Sequence, residues 1–249
     1  MRTISTIIQL VVTLLFFVSC SDNTPTRKLG SHNHVATVDN NLLMEWKTGA
    51  TVTATQVSHF GIDKCFVVTT ITDSVWKSLG EKSTTSRDDL RHIKMLHWGL
   101  DKKIHLGEMI ANRIIADTLA MIFRQLYDSH YPIERIELAS NYNNDDEAQM
   151  RDNNTSCYCP RTVRSTNVMS KHASGMAVDI NPLYNPYFKK RRNGTCDVLP
   201  STAMPYCDRN KTFPCKIDHN DLAFVIFTLH GFKWGGDWKS CKDYQHFEY

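Results

Sequence analysis

The chain has 249 residues, of which 41% are hydrophobic and 22% charged, and its formal net charge is +3. A chain of this length can bury one substantial core, and the composition is ordinary for a globular protein. The small net charge, with no arginine-rich helix and no aromatic-basic RNA motif, argues against a nucleic-acid partner.

The N-terminus has the pattern of an export signal. Arg2 precedes an apolar run over residues 7–18. A transmembrane helix needs about 20 apolar residues, so this run is too short to span a bilayer comfortably and fits the apolar core of a signal peptide instead. We therefore expect residues 1–19 to be a signal peptide.

The run ends in Phe-Val-Ser-Cys at 17–20, which resembles the lipobox of bacterial lipoproteins, although Phe17 stands where leucine is usual. In such proteins the cysteine, here Cys20, is acylated and becomes the new N-terminus. Simple cleavage near Cys20 and a weak membrane anchor are the alternatives. Residues 20–33 would then be a lipidated cysteine and a polar linker. The protein would be exported and anchored by lipid to a bacterial membrane, facing the periplasm or at the cell surface.

Seven of the eight cysteines remain once Cys20 is set aside. Export places them in a disulfide-permissive compartment, and their odd number leaves at least one free or paired outside the chain. Cys157 and Cys159 could bind a metal, but in an exported chain disulfides are favoured. We also expect disulfide bonding of at least two of the three cysteines in a later loop-like segment, namely Cys196, Cys207 and Cys215.

The middle of the chain predicts strands around one long helix. Residues 66–72 have β-branched strand character, and alternation over 93–98 favours a second strand. From 107 to 129, apolar residues recur mostly three and four apart, which predicts a helix that ends before Pro132. A short strand is expected over 133–138.

A polar stretch and a strand follow. Residues 140–170 are polar throughout and predict a long loop, of the kind that is usually functional or disordered. Alternation over 175–180 predicts a strand that directs Asp179 to the face opposite Val178 and Ile180.

The C-terminal region is expected to hold one insertion and one helix. Residues 189–216 have the composition of a basic, cysteine-rich insertion. A helix is predicted over 221–230, with Asp218 or Asn220 as its cap and Gly231 as its stop.

Three residues have the chemistry of a metal site. His172, Asp179 and His246 offer two imidazoles and a carboxylate, and catalytic zinc commonly takes three such ligands and leaves a fourth position to water. A lone carboxylate inside an apolar strand is costly to bury unless a charge such as a metal ion compensates it. Asp243 precedes His246 by three residues and could accept a proton from water at that metal. Spacing alone leaves open that Asp179 caps a turn and that His246 is an ordinary core histidine.

Two motifs carry a resemblance to a known family: Ser170-x-His172-x-x-Gly175-x-Ala177-x-Asp179-Ile180 and Asp243-x-x-His246-Phe247. Their content and order resemble the zinc peptidases that include D-alanyl-D-alanine carboxypeptidases and L-alanyl-D-glutamate endopeptidases, which have a hedgehog/DD-peptidase-like fold. The resemblance covers about residues 87–249. It implies that His172, Asp179 and His246 bind one zinc ion and that Asp243 is the catalytic carboxylate.

The family also uses an arginine, upstream of the first ligand, to hold a substrate carboxylate or carbonyl oxygen. This sequence has no arginine at the usual place, after the segment 136–142. Arg161 is the first replacement candidate, Arg164 the second and Arg151 the third, and an exposed loop arginine is the alternative for Arg161. Ser170 would lie beside His172 or only cap a turn.

The sequence thus predicts an α+β fold, with a small, largely antiparallel sheet, helices packed on it and zinc in a cleft. The strand order is implied by the resemblance. Residues 34–86 are expected to be a partly structured N-terminal extension, and residues 87–249 the zinc peptidase domain. The protein is expected to be a monomer.

The predicted activity is zinc-dependent hydrolysis of peptide bonds in peptidoglycan stem peptides, of the carboxypeptidase or the endopeptidase type. The alternative is a non-catalytic, zinc-containing lipoprotein that binds cell wall. Asp243 argues against this alternative, because a structural zinc site needs no base and is usually closed by a fourth ligand.

Overall fold

The computed structural model describes residues 39–80, 83, 85–163 and 166–249, so the predicted signal peptide, Cys20 and Arg164 lie outside the described residues. In chain order the helices are α1 (Asn41–Glu45), α2 (Ala54–Phe60), α3 (Asp73–Ser78), α4 (Ala116–Asp128), α5 (Asp146–Arg151) and α6 (Leu222–Leu229). The strands are β1 (Thr51–Val52), β2 (Val67–Thr70), β3 (Leu90–Trp98), β4 (Ile104–Asn112), β5 (Ala177–Asp179), β6 (Tyr187–Lys190), β7 (Cys196–Leu199), β8 (Lys233–Trp234), β9 (Lys242–Asp243) and β10 (His246–Glu248).

The first sheet has the strand order β1-β4-β3-β2, and each neighbouring pair is antiparallel. Strands β3 and β4 pair along their full length, from Leu90 opposite Asn112 to Trp98 opposite Ile104. The apolar side of α4 shares one buried core with Ile93 of β3. Burial of that helix face against the sheet stabilises the fold through the hydrophobic effect.

The strands predicted over 66–72 and 93–98 are confirmed as β2 and β3, but the helix predicted over 107–129 is correct only from Ala116 onward. Its first residues belong to β4, which is covered on both faces. The adjacent residues Met109 and Ile110 therefore point into two different buried clusters. With both faces apolar, β4 shows no alternation, and its apolar residues fall at helical spacing by coincidence.

The strand predicted over 133–138 is wrong. The segment is extended but forms no ladder, because its backbone bonds are scattered: Ile133 N donates to Trp98 O, and Glu108 N donates to Ile136 O.

The loop predicted over 140–170 is only partly correct. It contains α5, which begins after Asp145, whose side chain accepts a hydrogen bond from Ala148 N. It also contains a polar stretch, 153–156, that is buried rather than solvated. A helix of six residues is too short for its apolar periodicity to be recognised.

Two three-stranded antiparallel sheets make up the C-terminal half, with the orders β5-β10-β8 and β7-β6-β9. The strand predicted over 175–180 is confirmed as β5, and Val178 and Ile180 lie in the main core as expected. Together, the helices and antiparallel sheets make an α+β fold. No helix in the described ranges is both long and apolar enough to cross a bilayer.

Helix α6 confirms the helix predicted over 221–230, but its cap was assigned wrongly. The cap is Asp221, whose carboxylate accepts a hydrogen bond from Ala223 N, and not Asp218 or Asn220.

The predicted disulfides are absent from the described part of the chain, where all seven cysteines are free thiols. The thiols are directed to separate backbone carbonyls. Cys207 Sγ contacts Ala203 O, and Cys215 Sγ contacts Pro132 O. Cys157 and Cys159 are buried and likewise contact two different carbonyls, those of Gly175 and Asn144.

Candidate metal centre

Strand pairing joins the two sequence motifs. Strand β10 lies antiparallel to β5, and the register sets His246 directly opposite Asp179. On the other edge of β5, Asp179 N donates to Ser156 O at 2.9 Å and Ser156 N donates to Asp179 O at 3.2 Å. The backbone of Asp179 is thus held from both sides.

A 3-10 turn over Lys171–Ser174 carries His172. The Oγ of Ser170 caps this turn by accepting a hydrogen bond from His172 N at 3.2 Å. The structure therefore places Ser170 beside His172, through the backbone, in the capping role that the sequence left open.

The other ring nitrogen of His172 has a backbone partner. Its Nδ1 lies 2.7 Å from Cys157 O. A carbonyl can only accept, so Nδ1 carries a proton, and Nε2 is the nitrogen left to bind a metal. This is the usual arrangement of a histidine that binds a metal through Nε2.

Three donor atoms converge at one point. His172 Nε2 lies 3.1 Å from both His246 Nδ1 and Asp179 Oδ2, and His246 Nδ1 lies 3.1 Å from Asp179 Oδ1. All three side chains are buried. Ligand atoms of this group lie within 4.8 Å of one another, so the group could hold a metal ion. Two imidazoles and one carboxylate are the donor set of many catalytic zinc sites.

The second nitrogen of His246 faces a carboxylate that the sequence analysis missed. His246 Nε2 lies 3.4 Å from Glu248 Oε2. Burial disfavours the charged imidazole, but hydrogen bonds with Asp179 and Glu248 raise the pKa of His246 to about 10. Burial likewise opposes ionisation of Asp179, yet its histidine neighbours hold the pKa of Asp179 well below its usual range. Asp179 and His246 thus form a buried ion pair.

Asp243 lies at the edge of this group. Burial raises the pKa of Asp243 to about 7; Asp179 adds to the rise, and His246 and Arg161 oppose it. Its Oδ1 accepts a hydrogen bond from Gln245 Nε2 at 3.1 Å. A carboxyl group with a pKa near 7 can gain and lose a proton at neutral pH.

The turn before β9 sets the position of Asp243. A Cβ on Gly235 would come within 2.6 Å of Asp243 O and 3.2 Å of His246 Cβ. Only glycine allows the backbone to approach this closely. The ring of Trp238, 5.2 Å from the ring of His246, adds an aromatic wall.

Of the two arginine candidates that the structure describes, Arg151 and Arg161, it brings Arg161 to the centre. The charges of Asp146, Asp179 and Asp243 all act on its guanidinium. Arg151 is exposed at the end of α5, where its Nε bonds Glu147 O.

Asp146, Gln245 and Glu248 have roles at the site that the sequence analysis did not assign. A signal for Glu248 exists, since it alternates with His246 on one strand and so shares its face. Nothing in the local sequence marks Asp146, which reaches the site from helix α5.

The comparisons with known proteins fall on this region. The family described as D-alanyl-D-alanine carboxypeptidase matches residues 163–249. No curated protein and no solved structure matches the chain. The matched stretch contains His172, Asp179, Asp243 and His246, whereas Asp146 and Arg161 precede it. Over its last third, the chain is therefore similar to D-alanyl-D-alanine carboxypeptidases, and this match supports a hydrolytic peptidase domain around the His-Asp-His group.

Proposed function

We propose that the protein is a zinc-dependent peptidase that hydrolyses peptide bonds in peptidoglycan stem peptides, as a carboxypeptidase or an endopeptidase. The proposal rests on the convergence of His172, Asp179 and His246 beside Asp243, whose carboxyl group has a pKa raised to about 7. His172 Nε2, His246 Nδ1 and an Asp179 oxygen would hold the ion. When bound, zinc supplies Lewis-acid activation of water and of the scissile carbonyl.

Side chains of the protein carry out the proton transfers. Asp243 accepts a proton from the attacking water as the water oxygen bonds to the carbonyl carbon. It then passes that proton to the amine as the C–N bond breaks, which leaves a free amine and a new carboxylic acid that loses its own proton to solvent or to the amine. A pKa of about 7 suits both steps. Glu248 and the Cys157 carbonyl keep the two imidazoles in the required orientation.

Arg161 would hold a carboxylate of the substrate. Guanidinium groups recognise carboxylates through paired N–H donors. Stem peptides carry such groups at the C-terminus and on D-glutamate, so this role favours them as the substrate class.

We also propose that Cys20 is lipidated and that the protein acts at a bacterial membrane or cell surface. The lipobox-like sequence supports this proposal. The variant Cys20→Ser should leave the membrane fraction or stay unprocessed. Unchanged fractionation and unchanged mass would instead favour simple cleavage.

The variant Asp243→Asn tests the mechanism. Asparagine keeps the shape of the side chain but cannot accept the proton. We expect zinc stoichiometry and melting temperature to persist, while turnover of defined muropeptides, measured by mass spectrometry, falls by about 10²–10⁴-fold. The matched control is Asp237→Asn, which removes an exposed aspartate of the adjoining 3-10 turn and should leave turnover unchanged.

Three outcomes would count against the proposal. Parent-level turnover in Asp243→Asn would remove Asp243 from the mechanism. Loss of zinc in this variant would make Asp243 a ligand. A parent protein that binds zinc and cell wall but cuts no muropeptide would favour the non-catalytic binding protein.

A further inference from the structure

An ion pair between Arg161 and Asp146 joins α5 to the candidate metal centre. Arg161 Nε lies 2.9 Å from Asp146 Oδ1, and each side chain is 26% exposed. Asp146 is the first residue of α5, but it does not cap the helix, since Asp145 performs that role. Its carboxylate is therefore free to serve Arg161.

Both residues of this pair interact electrostatically with side chains of the candidate metal centre. The charges of Asp179 and His172 act on Asp146, and those of Asp179 and Asp243 act on Arg161. Burial raises the pKa of Asp146, and the Arg161 charge opposes that rise. Helix α5 thus contributes a carboxylate next to a site whose proposed metal ligands all come from a 3-10 turn and two strands of the matched region.

The contact leaves most of the guanidinium available. The Arg161 Nε–H has no well-aligned acceptor, so the contact is an ion pair rather than a directed hydrogen bond. The shortest contact of the pair runs through Nε, so the terminal amino groups of Arg161 are not the atoms that hold it closest to Asp146. These two groups are the part of arginine that grips a carboxylate in a paired fashion.

We propose that Asp146 is a positioning residue, which holds Arg161 beside the His-Asp-His group so that its terminal amino groups face a carboxylate of the substrate. The proposal rests on the proposed function for the role of Arg161. It excludes the opposite role, in which Asp146 occupies Arg161 and must be displaced by the substrate. The two roles predict opposite signs, because loss of a positioning residue weakens substrate binding whereas loss of a competitor strengthens it.

The test compares Asp146→Asn with Asp145→Asn in the full-length protein. Both variants remove one negative charge from the start of α5, and asparagine still caps a helix well. Once the scissile bond is mapped in the parent, each protein is given two peptides, in which the carboxylate nearest that bond is free or amidated. Zinc content and melting temperature are recorded alongside KM, kcat and the dissociation constant of each peptide.

For Asp146→Asn we expect KM for the free-carboxylate peptide to rise about tenfold, kcat to change by less than about threefold and zinc content to stay constant. The amidated peptide should be affected less, and Asp145→Asn should match the parent. In an Arg161→Ala background, Asp146→Asn should have no further effect on KM, since it acts through Arg161.

A fall in KM, an unchanged KM, or an effect that persists without Arg161 would overturn the proposal. If the parent cuts no muropeptide, the proposed function fails; the positioning role is then judged on the dissociation constants of a stem peptide whose C-terminal carboxylate is free or amidated. A weaker dissociation constant in Asp146→Asn that depends on Arg161 would support it, and no binding or no difference would overturn it.

Discussion

The neighbours of His246 favour its charged form, but the residue must be neutral to bind a metal. Burial opposes a charge on its ring, but hydrogen bonds with Asp179 and Glu248 raise the pKa of His246 to about 10, so the ring is a charged imidazolium at neutral pH. A metal ligand must offer a neutral ring nitrogen. The proton and the metal therefore compete for Nδ1, and metal affinity depends on pH.

We predict that zinc binding at pH 7 releases about one proton from His246, and that the apparent affinity rises about tenfold per pH unit between pH 6 and 9. The sign follows from the raised pKa, because fewer imidazolium rings remain to be deprotonated as the pH approaches 10. Calorimetry in buffers of different ionisation enthalpy measures the proton count. Glu248→Gln should reduce the release, because it removes a carboxylate that raises this pKa. A pH-independent affinity would contradict the assignment of His246.

Some of the site residues can be identified from the sequence, and others cannot. His172, Asp179 and His246 could be named because each stands in a short motif with a chemical reason. Asp243 could be named from its place three residues before His246, but its raised pKa comes from burial that no sequence pattern reveals. Asp146 could not be named, because its contact with Arg161 depends on where α5 packs.

The 3-10 turn that carries His172 depends on one glycine. Gly175 has φ of +68°, and a Cβ there would lie 2.6 Å from Asn112 N and 3.1 Å from Ala111 C. Both are backbone atoms of the paired strand region and cannot move aside. Backbone bonds reinforce the contact, since Asn112 N donates to Gly175 O at 2.9 Å.

Gly175→Ala should therefore destabilise the protein by more than the left-handed conformation alone, which costs about 1–2 kcal/mol. We expect the melting temperature to fall by about 4 °C or more and zinc affinity to fall as His172 shifts. The control is Gly194→Ala at the tip of the β6–β7 hairpin, where φ is +85° but no atom lies within 4 Å of the added Cβ. Equal melting temperatures for the two variants would show that the close approach to β4 does not matter.

Elements were predicted best where a short apolar or alternating pattern has clear boundaries. Strand β5 and helix α6 were recognised because their patterns are compact and bounded by polar or glycine residues. Strand β4 was mistaken for the start of a helix because both of its faces are covered. The extended segment 133–138 has strand-like residues but only scattered partners, and partners are a property of the tertiary structure.

At the level of the whole molecule, the cysteine-rich segment is tied to the candidate centre by Arg209. Its guanidinium lies between two rings, 5.0 Å from the Phe213 ring and 4.3 Å from the Tyr244 ring. It also donates four hydrogen bonds, to Tyr184 O, Tyr206 O, Asn185 Oδ1 and Ile217 O. Because Tyr244 follows Asp243 directly, Arg209 connects the segment to the strand that carries the proposed base.

Arg209→Lys should test this connection, because lysine keeps the charge but lacks the planar, five-donor fork that stacks and bonds at once. Lysine offers three donors for these four part-buried acceptors, so at least one acceptor would lose its partner, which costs about 1–3 kcal/mol. We expect a fall in melting temperature of about 4 °C or more and a larger loss of turnover than of zinc content, since Asp243 and not the ligands lies beside Tyr244. The matched control is Arg192→Lys, at an exposed position of the same segment, which should change neither. A variant Arg209→Lys as stable and as active as the parent would mean that the segment packs on β9 without this arginine.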